Sequence, residues 1–208
     1  MVVKRECFLD HSIPAGTLYL HPSRVADAHR LARYHVQNAQ HLGEWDFGWS
    51  AARTEPDWHV EHLAAAHAGT AVKCGLLRWS GWLGIGPTPV GEVVGLIELE
   101  WPATALVETP TMSLGYSLAL DWQGQGAMTQ ALRALWPALL AQFGAAVCIQ
   151  AHVRSDHLRS RALLTRLGFI DLGPDPDFPV IAVGGNWVRH HLFQRTISST
   201  RSMTSWLA

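Results

Sequence analysis

One stretch limits the possible folds more than any other: LGYSLALDWQGQGAMTQALRALWPALL, residues 114–140. It reads as a strand, a turn with glycines at 124 and 126, and a long amphipathic helix. Met128, Leu132, Leu135, Trp136, Leu139, Leu140 and Phe143 recur at helical spacing, and Gly144 supplies the stop. Pro137 is expected to kink this helix. A helix that opens on Gly124, Gln125, Gly126 and Ala127 lacks the Ser, Thr, Asp or Asn that normally caps an N-terminus. Its first N–H groups and the positive end of its dipole are open, and glycine lets a ligand approach the backbone. Together these suit an anion, phosphate above all. No G-K-[ST] follows, so there is no P-loop. No third glycine stands three residues on, so there is no Rossmann fingerprint. A plain strand-to-helix turn remains the alternative at this point.

The flanking sequence places this unit in a mixed α/β sheet. TLYLHP (17–22) reads as a strand, and Ser23 as the cap of a helix from Arg24 to about Gln40. Val25, Ala28, Leu31, Ala32, His35 and Val36 would form its inner face. GEWDFGWS reads as a loop and 56–67 as a second helix. Residues 71–80 and 91–100 read as strands joined by a Gly/Pro-rich turn, GWLGIGPTPVG. Residues 111–119 and 145–153 are strands on either side of the glycine-started helix. A helix from about His157 to Leu167, then FIDLG, VIAV and WVRHHLFQR, complete one domain over 1–197, with 198–208 a frayed tail.

The bulk properties remove several classes of function. Formal net charge is -1 over 208 residues, so neither nucleic acid nor an anionic membrane is an expected partner. No apolar run reaches the roughly eighteen residues of a membrane span, and the N-terminus has no signal-peptide core. Cys7, Cys74 and Cys148 form no C-x-x-C pair, so a cytoplasmic location is the default expectation. Cys148 reads as a buried small hydrophobe. Among twelve histidines, His59 and His62 have a spacing that can hold a metal. A polar helix face explains them better, and no metal is expected.

Gln123-Gly124-Gln125-Gly126-Ala127-Met128 resembles the Q/R-x-x-G-x-G/A signature of the GNAT N-acetyltransferase superfamily. The wider run GYSLALDWQGQGAMTQAL resembles its RimJ/RimL-type branch, which acetylates ribosomal-protein N-termini. AHVRSDHLRSRALLTRLGF resembles the same branch's strand, N-x-x-S helix start and closing LGF, and HLGEW (41–45) is similar too. The likeness spans roughly residues 15–195 and is most specific over 114–169. It implies an α/β (α+β) fold with a mixed central sheet flanked by helices, whose strands splay at an acyl-CoA cleft. It further implies acetyl-CoA as cosubstrate, its pyrophosphate on the backbone of Gln123, Gly124, Gln125, Gly126, Ala127 and Met128. Leu118 and Ala119 would line the pantetheine arm with free backbone groups, one N–H polarising the thioester carbonyl.

The sequence departs from the branch where His157 replaces the usual asparagine, while Ser160 matches the serine near the sulfur. His157 and Ser160 are therefore candidates on the cofactor side, with Ser160 a proton donor to the leaving thiolate or a helix-start hydroxyl. The glutamate that many relatives carry before the glycine motif is missing; Met112 or Ser113 stands there. Glu98 and Glu100 alternate with apolar residues and share a strand face, so either is a candidate base acting through water, or a solvated edge. His152 is a third candidate base. A lysine amine of pKa ~10.4 is barely neutral at pH 7, whereas an α-amine near ~8 is about a tenth neutral. A weak base set thus suits an α-amine or a small-molecule amine of low pKa.

Trp45, Phe47, Trp49 and Trp58 can wall an acceptor pocket, with Glu44 or Asp46 attracting a cation. Trp45, Asp46 and Phe47 are the substrate-side candidates, against ordinary aromatic core. Arg189 stands near the branch's usual aspartate, which points to an acceptor other than the one that names the branch. The expectation is an enzyme, monomer or homodimer, acetylating a primary amine directly. The rival is an acyl-CoA-binding protein that keeps the fold without the chemistry.

Overall fold

The computed structural model describes residues 9–46, 49–67, 76–102, 109–144, 146–178, 180–183 and 186–199. Phe47, Cys7, Cys74 and the last nine residues of the expected tail lie outside them. Strand β1 (Ile13–Ala15) and β2 (Leu18–Pro22) lead into helices α1 (Ala28–Trp45) and α2 (Pro56–His67). Strands β3 (Leu76–Ile85), β4 (Gly95–Pro102) and β5 (Thr111–Leu118) follow. Helix α3 (Ala127–Phe143) crosses to β6 (Ala146–Arg154), and α4 (Leu158–Arg166) to β7 (Ile170–Pro174), β8 (Val180–Val183) and β9 (Asn186–Ser198). The sheet order is β1-β2-β3-β4-β5-β6-β9-β7, with β8 paired to β9.

Every strand pair is antiparallel except β5 with β6. A parallel pair needs a crossover, and α3 is that crossover. Its buried stripe, including Leu132, Leu135 and Leu139, packs on Ile97, Leu99, Met112, Val147 and Ile149. Removing each such leucine from water contributes about 2 kcal/mol. The other face of the sheet carries a smaller core, in which Leu31, Tyr34, Leu42 and Leu63 meet Trp82 and Leu96. The sheet is therefore covered on one face by α3 and on the other by α1 and α2.

Several expectations need correction. The expected turn over 81–91 is strand as far as Ile85. Gly81 and Gly84 serve the strand there: a Cβ would stand 2.5 Å from the Trp79 ring and 2.3 Å from the Trp82 ring. Ser23 does not cap α1; its buried hydroxyl has no partner, and Asp27 accepts the Arg24 N–H at 2.9 Å instead. Val25 and Val36 are exposed, while Tyr34, Asn38 and Leu42 complete the inner face. Helix α1 runs on to Trp45, through the first three residues of the expected loop. Strand β1 had no visible signal in three residues. Pro137 lies inside a helix that continues to Phe143. Cys148 is only half-buried, because strand alternation turns Val147 and Ile149 to the core and Cys148 away from it.

Candidate active site

The site begins where two strands part. Strand β5 pairs with β6 only through Thr111–Cys148, Met112–Ile149 and Ser113–Gln150. Beyond these, β5 continues to Leu118 and β6 to Arg154 without pairing, so the centre of the sheet splays. The Ala119 N–H donates to the Val94 carbonyl at 2.9 Å. In an antiparallel pair such bonding residues alternate. The backbone groups of Ser117 and Ala119 thus face β4 or its lead-in, and those of Tyr116 and Leu118 face the gap.

This corrects the expected lining at Ala119. Ala119 is engaged on the closed side, and the Leu118 carbonyl already accepts from Gln123 Nε2 and from His41 Nε2, both at 3.2 Å. Tyr116 is the free-edge residue that sequence reasoning missed.

The gap leads to the glycine turn. Gly124 and Gly126 have φ of 75° and 79°, left-handed conformations that favour glycine. No side chain caps α3, and its first backbone bond runs from the Gln130 N–H to the Gly126 carbonyl. The N–H groups of Ala127, Met128 and Thr129 precede that bond and lie at the positive end of a 17-residue helix. Nothing lies within 4 Å of where a Cβ on Gly124 would be, so the approach is open. Gln123 is fixed from both ends, because its Oε1 accepts from Arg159 at 2.7 Å while its Nε2 holds Leu118. Gln125 reaches back to the Asp121 carbonyl.

Across the gap, on the α3 side, the Tyr116 and Ser160 hydroxyls are 2.7 Å apart. Burial pushes the Tyr116 pKa above that of a free phenol, so its proton stays on. His157 caps α4: its Nδ1 accepts the Ser160 N–H at 3.3 Å, as an asparagine oxygen would. This requires a neutral ring with the proton on Nε2. Burial, the main influence, holds the His157 pKa below the usual histidine value. Trp45 packs on that ring at 4.3 Å, and the Arg154 guanidinium lies 4.5 Å from the Trp45 ring centre.

The opposite face carries the acceptor-side candidates. Glu98 pairs in register with Gly115, within the splayed part of β5. Glu100 pairs with Ser113 at the closed end, and Arg78 Nε bonds its carboxylate at 2.6 Å. The structure therefore brings Glu98, and not Glu100, to the gap. Asp46 is 3.4 Å from the Arg53 guanidinium. Trp49 and Trp58 sit with His35 and His59, away from Trp45, so the expected aromatic wall is divided. His35, His59, Arg53, Trp58 and Glu98 line one small cavity between α1, α2 and β4.

His59 and His62 each bond a backbone carbonyl, of Arg53 at 2.9 Å and Trp58 at 2.7 Å. The described residues contain no cluster of three His, Cys, Asp or Glu suited to a metal. Nor do they include a helix long and apolar enough to cross a membrane.

Residues 17–170 match the family described as acetyltransferase (GNAT) domain, which covers the splayed strands, the glycine turn and α4. The chain belongs to the GNAT acetyltransferase family. Solved GNAT structures of the same fold include the ribosomal-protein-S5-alanine acetyltransferase of Vibrio fischeri. That match has TM-score 0.74 and 21% identity, over 92% of this chain and 98% of that one. Mycobacterium smegmatis RimJ, solved with CoA-disulfide, matches with TM-score 0.69 and 23% identity over 94% and 88%. The microcin C7 self-immunity acetyltransferase MccE, solved with acetyl-CoA and AMP, matches with TM-score 0.64 and 17% identity over 88% of this chain and 97% of that one. A comparison with curated protein sequences gives no match.

Proposed function

We propose that this GNAT protein transfers an acetyl group from acetyl-CoA to a primary amine, either a protein α-amine or a small-molecule amine. The observation that carries the reading is the continuity of the β5–β6 gap with the uncapped start of α3. The pyrophosphate would rest on the N–H groups of Gly124 to Met128, where the dipole favours negative charge. The pantetheine arm would lie in the gap along Tyr116 and Leu118, bonding the open strand edge. That RimJ and MccE were solved with CoA species supports a CoA ligand for this fold.

The amine would attack the thioester carbonyl directly, with a backbone N–H of the open edge stabilising the oxyanion. As the C–S bond breaks, the electron pair goes to sulfur, and the Ser160–Tyr116 hydroxyl pair is placed to supply its proton. Glu98 sits on the acceptor face, where a carboxylate attracts an ammonium group. The cap made by His157 supports activity over a degenerate binder, because the histidine does the asparagine's local work.

The test is thiol release from acetyl-CoA with and without amines, scanning peptides with free α-amines and small polyamines. Amine-dependent release with acetylated product supports the proposal. Binding of acetyl-CoA without turnover for any amine would reject it in favour of the binding protein.

A further inference from the structure

We propose that His152, oriented by Asp175, is the general base that takes the acceptor's proton; this rests on the transferase reading above. His152 is the second residue of β6 beyond its last pair with β5, Ser113–Gln150. It lies on the strand face of Gln150 and Arg154, opposite the core-facing Ala151 and Val153. Extending the parallel register by two residues sets Gly115 across the gap from it. Gly115 is exposed although its strand is central, and a Cβ there would meet only Glu98, at 3.8 and 3.9 Å. Glu98, Gly115 and His152 thus form one row across the open sheet, with no side chain in the middle. An amine held over Gly115 has a carboxylate on one side and an imidazole on the other.

The imidazole is held as a base must be. His152 Nδ1 bonds Asp175 Oδ2, and the Asp175 side chain is fully buried. The other oxygen, Oδ1, accepts the N–H groups of Asp177 at 2.9 Å and Phe178 at 3.0 Å. Burial raises the carboxyl's pKa, but the bonds from His152, Phe178 and Asp177 outweigh it and keep the group ionised. An ionised carboxylate only accepts, so Nδ1 carries the proton, and in the neutral ring the lone pair is then on Nε2. The Phe178 ring packs edge-on at 4.9 Å and fixes the imidazole plane. Among the described residues Nε2 has no bonding partner, and it is not one of the sealed polar atoms.

The step balances. The amine nitrogen bonds to the acyl carbon and gives one proton to His152 Nε2. The C–S bond breaks, and the sulfur takes one proton from the Ser160–Tyr116 pair. His152 returns its proton to solvent, and the hydroxyl pair is reprotonated. Asp175 is a positioning residue throughout. The charged and titratable groups on the imidazole's side are Asp175 on the β7–β8 connection, His190 on β9 and Arg154 on the same face of β6, with Glu98 in register across the gap. The Arg154 guanidinium donates to the Glu44 carbonyl near the end of α1.

The experiment compares wild type, His152→Gln and Asp175→Asn for thiol release from acetyl-CoA with an amine panel, and for acetyl-CoA binding by thermal shift. His152→Gln is expected to lower kcat/KM for the amine about 100-fold while the thermal shift stays. Asp175→Asn is expected to lower it about tenfold, through the wrong tautomer. In wild type two groups must be unprotonated, the amine and His152. The logarithm of kcat/KM should therefore climb with a slope near two at low pH in wild type, and near one in His152→Gln. Equal slopes, or a His152→Gln enzyme as fast as wild type, would overturn the proposal and leave the transferase reading standing. Absence of turnover in wild type with acetyl-CoA bound would overturn both, and absence of binding would place the fault in the cofactor reading.

Discussion

Acid should weaken this fold through its buried histidines, and His35 shows how strongly. Its residue is 3% exposed, and Nδ1 donates to the Leu31 carbonyl at 2.9 Å. Burial drives its pKa from 6.5 to about 4. Between those values the unfolded chain binds a proton that the folded chain refuses, so stability rises with pH across that window. The contribution is fully present above about 6.5 and is lost as pH falls towards about 4. The fall from 6.5 to about 4, at about 1.4 kcal/mol per pH unit, gives roughly 3–4 kcal/mol for this residue. His21, His59, His157 and His190 are lowered in the same direction, chiefly by burial, and add to the trend. The assay is urea unfolding at several pH values between about 4 and 7, for wild type and His35→Phe, which fills the space but cannot titrate. The variant should lose about 3 kcal/mol less than wild type across the window. Parallel curves for the two proteins would refute the reasoning.

Other perturbations separate the parts of the site. Gly126→Val puts a branched side chain at φ 79° and should cost about 1–2 kcal/mol and lower acetyl-CoA affinity, read by calorimetry. Gly86→Val, at φ 86° in open space, should show the first effect without the second. His157→Asn should preserve stability and cofactor binding, whereas His157→Ala should cost about 1 kcal/mol in denaturant unfolding by uncapping α4. Tyr116→Phe should reduce kcat for thiol release with little change in acetyl-CoA affinity, because it removes a proton source and not a binding surface. Leu135→Ala, at the centre of the α3 contact, should cost about 2–5 kcal/mol.

What could be read ahead of the structure was local. The α3 stripe, its Gly144 stop and the glycine turn are all written within a few turns of chain, where periodicity and glycine act directly. The strand–helix order followed for the same reason. What escaped depends on distant partners. Tyr116 and Ser160 are 44 residues apart, and His152 and Asp175 are 23 apart, so neither pair leaves a spacing signal. The glycines of β3 looked like turn residues because their reason is an indole two positions away lying over the backbone. Ser23 satisfied a capping rule, but the bond at this helix start comes from Asp27, whose carboxylate lies three residues past Arg24 and accepts its N–H. Glu98 and Glu100 are equivalent in sequence, and only the splay and the Arg78 pairing tell them apart. One signal was available and passed over: Gly115, a glycine within a strand pattern, marks a place where something approaches the backbone.

The most direct test of the central claim is thermal unfolding with acetyl-CoA, CoA and 3′-dephospho-CoA, run on wild type and on Gly126→Val. Ligand at a hundred times its dissociation constant should stabilise wild type by about 2.7 kcal/mol, and the variant by clearly less at the same concentration. No shift in wild type at millimolar acetyl-CoA would mean that the open start of α3 is only a turn, and would contradict the account.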